Sequence, residues 1–144
     1  MGPFRVIVTG VRHFAGYPKL REPLDKLLVK RLPDVVILSG CGRGTDALAT
    51  SYALERGLLL VPYPIDFDRH PIDAVAVEQR NVRLVADADA AVVVWDRIDP
   101  GLGDLLGRCT RKGIPVRVLL SGGRADPPPD RERGAAPRPG GLPD

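Results

Sequence analysis

Two kinds of apolar stretch alternate along this chain. Continuous runs rich in β-branched residues occur at "FRVIVTG" (4–10), "DVVILSG" (34–40), "LLLVPYP" (58–64), "DAAVVVWD" (89–96) and "IPVRVLL" (114–120). They have the length and composition of strands buried on both faces, the third shortened by its prolines. Between them apolar residues recur at helical spacing. One helix is expected from about Lys19 to Arg31, with Leu20, Leu24, Leu27, Leu28 and Leu32 on one face. A second is expected from Thr45 to Arg56, with Ala47, Leu48, Ser51, Tyr52 and Ala53 at helical spacing and Gly57 as its C-cap. "HPIDAVAVEQRNVRLVADA" predicts a third, with Val75, Val82 and Val85 inward, and "GLGDLLGRCTRKG" a fourth.

Strands alternating with helices require right-handed crossovers, hence a sheet covered on both faces. The expected fold is α/β: a single doubly wound domain over residues 1–120, with a mainly parallel five-stranded sheet and helices on both faces. The last 24 residues differ in kind. They hold six prolines and five glycines with four basic and four acidic side chains, too little apolar surface to offset chain entropy. Residues 121–144 are therefore expected to form a disordered tail.

Composition narrows the class. A chain of 144 residues that is 44% hydrophobic supports one core, and 5% aromatic content means that aliphatic side chains fill it. Cys41 and Cys109 have neither metal-ligand spacing nor a partner histidine, which argues against a disulfide framework and against a metal site. A reducing cytoplasm is the expected location. The apolar run that stops at Thr9 is too short for a signal core or a membrane span, and Val6 stands where a myristoylation signal needs Ser or Thr. No membrane partner is expected. The net charge of +3 is spread among acids rather than gathered in a run, so no nucleic-acid partner is expected either.

In doubly wound sheets ligands lie beyond the carboxyl ends of the strands, where the strand order reverses. Three loops belong to that edge: "TGVRHF", "SGCGRGTD" and "WDRIDPGLGD". In the second, Gly40, Gly42 and Gly44 permit positive φ and close approach, Ser39 or Thr45 can offer a hydroxyl, and the first amides of the helix point outward. That is the construction of an anion cradle, with a phosphate as guest. The other reading is that the glycines only make a tight turn, with Asp46 in the favourable first turn of the helix. The loop has neither the Gly-Lys-Thr ending of a Walker loop nor the spacing of a GxGxxG fingerprint. Gly10 and Arg12 follow the first strand, and Arg12 offers a bidentate contact to a phosphate. His13 reads as a general acid or as an ordinary loop histidine, Arg43 as a ligand contact or a solvent-facing side chain, and Trp95 as a stacking surface or a sheet-end aromatic.

The stretches "VTGVRHF", "LSGCGRGTDALATSYALERGL", "YPIDF", "QRN" and "ADADAAVVVWD" together resemble, in order and spacing, the YspA-like (cpYpsA-related) proteins of the SLOG superfamily, relatives of the lysine decarboxylase-like LOG enzymes and of DprA. The resemblance runs over nearly all of residues 4–119. It implies a Rossmann-like fold that binds a nucleotide or nucleotide derivative, and a homodimer. It leaves open whether the protein is an enzyme, because phosphoribohydrolases, nucleotide sensors and DNA-binding proteins all belong to the superfamily.

The LOG enzymes carry an Arg on the helix before the fourth strand, then a Pro-Gly-Gly-x-Gly-Thr loop with a Glu shortly after. By resemblance Arg80 takes the Arg position, with Asn81 beside it. Pro100, Gly101 and Gly103 keep part of the loop, but Asp104 stands in place of Thr, and Leu105, Leu106 and Gly107 occupy the segment that should hold the acid. Cleavage of an N-glycosidic bond builds oxocarbenium-like charge that a carboxylate must stabilise. Asp104, Glu78 or Asp96 would have to replace the absent Glu. The expected function is therefore binding of a nucleotide-type small molecule without a cofactor. Arg80 and Asp104 are the catalytic candidates of an alternative nucleoside 5′-monophosphate N-glycosidase, and DprA-like single-stranded nucleic-acid binding is a further alternative.

Overall fold

The computed structural model describes residues 2–69 and 73–121. The expected tail, apart from Ser121, lies outside them. The elements run β1 (Phe4–Gly10), α1 (Tyr17–Leu28), β2 (Val35–Ser39), α2 (Thr45–Arg56), β3 (Leu59–Pro62), α3 (Asp73–Asp87), β4 (Ala90–Trp95), α4 (Pro100–Lys112) and β5 (Val116–Leu120). The strands form one sheet in the order β3-β2-β1-β4-β5, and every neighbouring pair is parallel. This is the expected Rossmann-like fold. The order reverses beside β1, whose carboxyl end therefore opens between two outward-winding halves. Among the described residues no helix is long and apolar enough to cross a membrane.

The burial of each strand follows its place in the sheet. Val6, Ile7 and Val8 of β1 and Val92, Val93 and Val94 of β4 are fully enclosed, because these strands have neighbours on both sides and helices above and below. The edge strands β3 and β5 are partly exposed, and Pro62, which has no N–H to donate, closes β3. α1 packs beside α2, and α3 beside α4.

Three helices differ from their sequence reading in position or orientation. α1 begins at Tyr17, with Pro18 in its first turn, where the missing N–H costs nothing, and it ends at Leu28. α2 buries Thr45, Asp46, Ala49, Tyr52 and Ala53, leaving Ala47 and Ser51 exposed. The Thr45 hydroxyl donates to the Val11 carbonyl at 2.9 Å and so fixes which face of α2 turns inward. α3 buries Ala76, Asn81, Leu84 and Val85, whereas Val75 and Val82 are 38% and 41% exposed. The rotation that seats Asn81 against α4 turns these two valines outward.

Candidate functional site

A pocket of about 440 Å³ opens at the carboxyl ends of β1 and β2, walled by α3 and by the start of α4. Its volume is in the range of small-molecule sites. Thr9, Gly10 and Arg12 line it from β1 and the loop that follows, and Gly40, Gly42 and Asp46 from the β2–α2 turn. α3 contributes Val77, Glu78 and Arg80, and α4 with its preceding loop contributes Asp99, Gly101 and Asp104.

The β2–α2 turn holds a carboxylate of its own. The Gly42 amide donates to Asp46 Oδ2 at 2.7 Å, so the expected cradle already contains an anion, supplied by the first turn of α2. Asp46 is 7% exposed, and its Oδ1 is buried without a hydrogen-bond partner among the described residues. Burial pushes this carboxyl above the ordinary range for an aspartate, against the opposing pull of Thr9, the Gly42 amide and the charge of Arg80. Gly42 faces it so closely that a β-carbon there would lie 2.7 Å from Oδ2.

Arg80 reaches across from α3. Its Nη1 donates to the Gly40 carbonyl at 2.9 Å and to the Tyr63 carbonyl at 3.4 Å, and its Nε donates to Asn81 Oδ1 at 3.3 Å. Burial lowers its pKa from the usual guanidinium value, while the charge of Asp46 works in the opposite direction. Asn81, 1% exposed, then donates through Nδ2 to the Gly101 carbonyl and to Asp104 Oδ2, both at 3.0 Å. One buried amide thus ties Arg80 to the start of α4.

Asp104 also accepts from Arg108 Nε at 2.8 Å. Partial burial would raise its pKa, but the hydrogen bonds from Arg108 and Asn81 outweigh that and hold the carboxyl below its ordinary value. It is charged at neutral pH. The N-terminus of α4 is capped from within, Asp99 Oδ1 accepting from Gly101 N at 2.9 Å and Leu102 N at 3.1 Å.

The structure therefore brings Gly10, Arg12, Gly40, Gly42, Asp46, Arg80, Gly101 and Asp104 to one pocket, and other expected site residues lie outside its lining. The Ser39 hydroxyl accepts from Cys41 N at 3.1 Å, and Thr45 is spent on Val11. Gly44 meets the backbone of Arg12 and takes φ +60. Arg43 and His13 are exposed. Gly103 faces Trp95, whose Nε1 donates to the Asp99 carbonyl at 3.1 Å, which fits the sheet-end reading of that tryptophan. Of the candidate replacement acids, Glu78 and Asp104 border the pocket, whereas Asp96 accepts from Ile98 N and Asp99 N and shapes the turn before α4. Thr9, Asp73 and Asp99 are lining residues that the sequence reading did not name. Thr9 could have been found as the last polar side chain of β1 before Gly10. Among the described residues no cluster of acidic, His and Cys side chains is arranged to hold a metal ion.

The model of the YspA, cpYpsA-related SLOG family matches residues 4–70. Two solved structures of DNA processing protein A are similar in fold. That from Streptococcus pneumoniae is 16% identical with a TM-score of 0.63, the match covering 81% of this chain and 50% of that one. That from Helicobacter pylori, described for its single-stranded DNA binding mode, is 19% identical with a TM-score of 0.59, the match covering 81% of this chain and 65% of that one. The chain thus spans less than two thirds of either protein. No curated protein matches it.

Proposed function

From the match of residues 4–70 to the YspA, cpYpsA-related SLOG family we propose that the chain binds a nucleotide or nucleotide derivative in the pocket between β1, β2, α3 and α4. The observation that carries this reading is the position of Arg80: a part-buried guanidinium, anchored to the Gly40 carbonyl, bordering a cavity at the point where the strand order reverses. Arg12, exposed at the rim, is the second cation available to a ligand phosphate. The space beside Gly40 and Gly42 is taken by Arg80, Thr9 and Asp46, so these side chains, rather than bare backbone, form the pocket floor there.

A second reading is favoured by Asp104, whose charged carboxylate shares the pocket with Arg80 and is joined to it through Asn81. This pair is the equipment of an N-glycosidase acting on nucleoside 5′-monophosphates, the carboxylate stabilising the developing oxocarbenium charge. One similar protein is described binding single-stranded DNA, so the expectation that set nucleic acids aside is not carried forward.

The test is a thermal-shift panel of nucleoside phosphates, NAD and ADP-ribose with chromatography of the products, run beside retardation of single-stranded oligonucleotides at two salt concentrations. Binding without turnover is the expected result. Release of free base that disappears in Asp104→Asn would replace the binder with the glycosidase. Salt-dependent oligonucleotide retardation without any nucleotide shift would replace it with a nucleic-acid interface. Sedimentation of the same sample reads the homodimer implied by the family likeness.

A further inference from the structure

Asp104 lies where two helices meet at the pocket. On α3, Ala74 and Val77 are one turn apart, and on α4, Pro100 and Gly101 come one turn before Asp104 on the same side of the helix. The two helices touch here, since a β-carbon on Gly101 would lie 3.0 Å from Val77 Cγ1. With Ile65 and Leu102, these residues supply the apolar part of the lining, and Asp104 carries it on along α4 to a carboxylate. An aliphatic wall beside a single fixed polar group suits a flat aromatic ring. A sugar or a phosphate placed against such a wall would lose hydration without compensation.

Only one oxygen of this carboxylate is used. Oδ2 accepts from Asn81 Nδ2 at 3.0 Å and from Arg108 Nε at 2.8 Å, whereas no hydrogen bond among the described residues reaches Oδ1. Asp46 Oδ1 is sealed from solvent, but Asp104 Oδ1 is not among the buried atoms left without a partner, and the Asp104 side chain is 24% exposed. A ligand can therefore reach it. The two donors, one from α3 and one from α4, fix the orientation of the carboxylate and hold it charged. A fixed, charged acceptor selects an N–H donor and turns away a phosphate or carbonyl oxygen. The other acids of this wall are placed differently: Asp99 Oδ1 is engaged in capping α4, and Glu78 is exposed.

Resting on the nucleotide reading above, we propose that Asp104 Oδ1 accepts a hydrogen bond from the exocyclic amino group of the ligand's base, which lies on the apolar wall between α3 and α4. Bases taken out of a duplex are read in the same way, by apolar contact with the ring and hydrogen bonds to its edge. Adenine, cytosine and guanine carry such a group; uracil and hypoxanthine do not. Arg12, on the β1 side of the pocket, remains for the phosphate.

Calorimetric titration of the full chain with pairs of 5′-monophosphates that differ by one amino group tests this: adenosine against purine riboside, cytidine against 2-pyrimidinone riboside, and guanosine against inosine. In the pair that binds best, replacing the amino group by hydrogen is expected to weaken binding about tenfold or more, as for a hydrogen bond to a charged group. Asp104→Asn gives the second arm. Arg108 and Asn81 hold the carboxamide oxygen where Oδ2 was, so Nδ2 takes the place of Oδ1 and presents a donor to the ligand. The variant should bind both members of that pair alike. Equal binding within every pair by the unmodified protein, or an amino preference that survives Asp104→Asn, would overturn the base subsite and leave the nucleotide reading standing. Failure of every probe to bind would overturn both. If Asp104→Asn does not fold by circular dichroism, the paired ligands on the unmodified protein decide alone.

Discussion

Arg80 Nη1 and Asp46 Oδ2 converge on Gly40, each 3.1 Å from the place where a β-carbon on that glycine would lie, with Thr9 Oγ1 at the same distance. The residue at position 40 thus sets the separation of the two charged groups in the pocket. Gly40→Ala is expected to push the guanidinium off the Gly40 carbonyl and to weaken nucleotide binding by about 1.5–3 kcal/mol, the range for a hydrogen bond to a charged group. The fold should survive, because the nearest atoms belong to side chains. Calorimetry for affinity and a thermal melt for stability check the two halves. An unchanged affinity would remove Arg80 from the site.

A carboxylate of α1 holds two side chains of α2. Asp25 accepts from Tyr52 Oη at 2.7 Å and from Arg56 through Nε at 3.0 Å and Nη2 at 2.6 Å. The hydrogen bond from Arg56 lowers the Asp25 pKa below its ordinary 3.8, burial opposing and Tyr52 assisting. A depressed carboxylate stabilises the fold above its unfolded pKa and ceases to do so as pH falls through the folded value. Asp25→Asn should therefore melt below the unmodified protein at neutral pH, and the gap should close as pH drops below about 3.8. Melting curves from pH 7 to pH 2 give the comparison. A gap independent of pH would assign the loss to packing instead.

The strands and their order of connection are legible in the sequence because a buried parallel strand has no choice but a continuous apolar run. The orientation of α3 was not legible for the opposite reason. Its valines and alanines suit several faces, and the residue that fixes the rotation is Asn81, a polar side chain whose partners, Gly101 and Asp104, come from a helix twenty residues later. The β2–α2 turn was legible as a glycine-rich bend next to a helix. Which anion fills it was not, because sequence spacing alone does not tell a first-turn aspartate that folds back onto Gly42 from one that faces solvent. Arg80 was named from resemblance, and its link through Asn81 to Asp104 required the packing of α3 on α4.

The C-terminus of α3 is closed from another helix. Lys112 Nζ, in the last turn of α4, donates to the carbonyls of Val85 at 2.7 Å, Ala86 at 3.0 Å and Ala88 at 3.0 Å. A cation at this position answers both the free carbonyls and the negative end of the helix dipole. Lys112→Met keeps the aliphatic stem and removes the three bonds, so it should cost about 1–2 kcal/mol in urea denaturation. Lys112→Arg should recover part of the loss. A neutral Lys112→Met would show that water replaces the ammonium without penalty.

Gly44 separates the structural part of the glycine-rich turn from its binding part. It takes φ +60, and a β-carbon there would lie 2.3 Å from the Arg12 carbonyl oxygen and 2.8 Å from that of Val11, both backbone atoms that cannot move aside cheaply. The same two segments are pinned by the Thr45 hydroxyl and Thr45 N on the Val11 carbonyl, and by Val11 N on the Val94 carbonyl. Gly44→Ala is expected to force the β1–α1 loop away from α2 and to destabilise the whole domain by about 2–4 kcal/mol, the sum of a strained backbone and a steric overlap. Gly42→Ala differs: its β-carbon would meet only the Asp46 carboxylate, at 2.7 Å, so the expected effect is a displaced Asp46 and weaker ligand binding with a smaller change in stability. Melting and binding measured on both variants give the contrast. If Gly44→Ala melted like the unmodified protein while losing its ligand, Gly44 would belong to the binding surface after all.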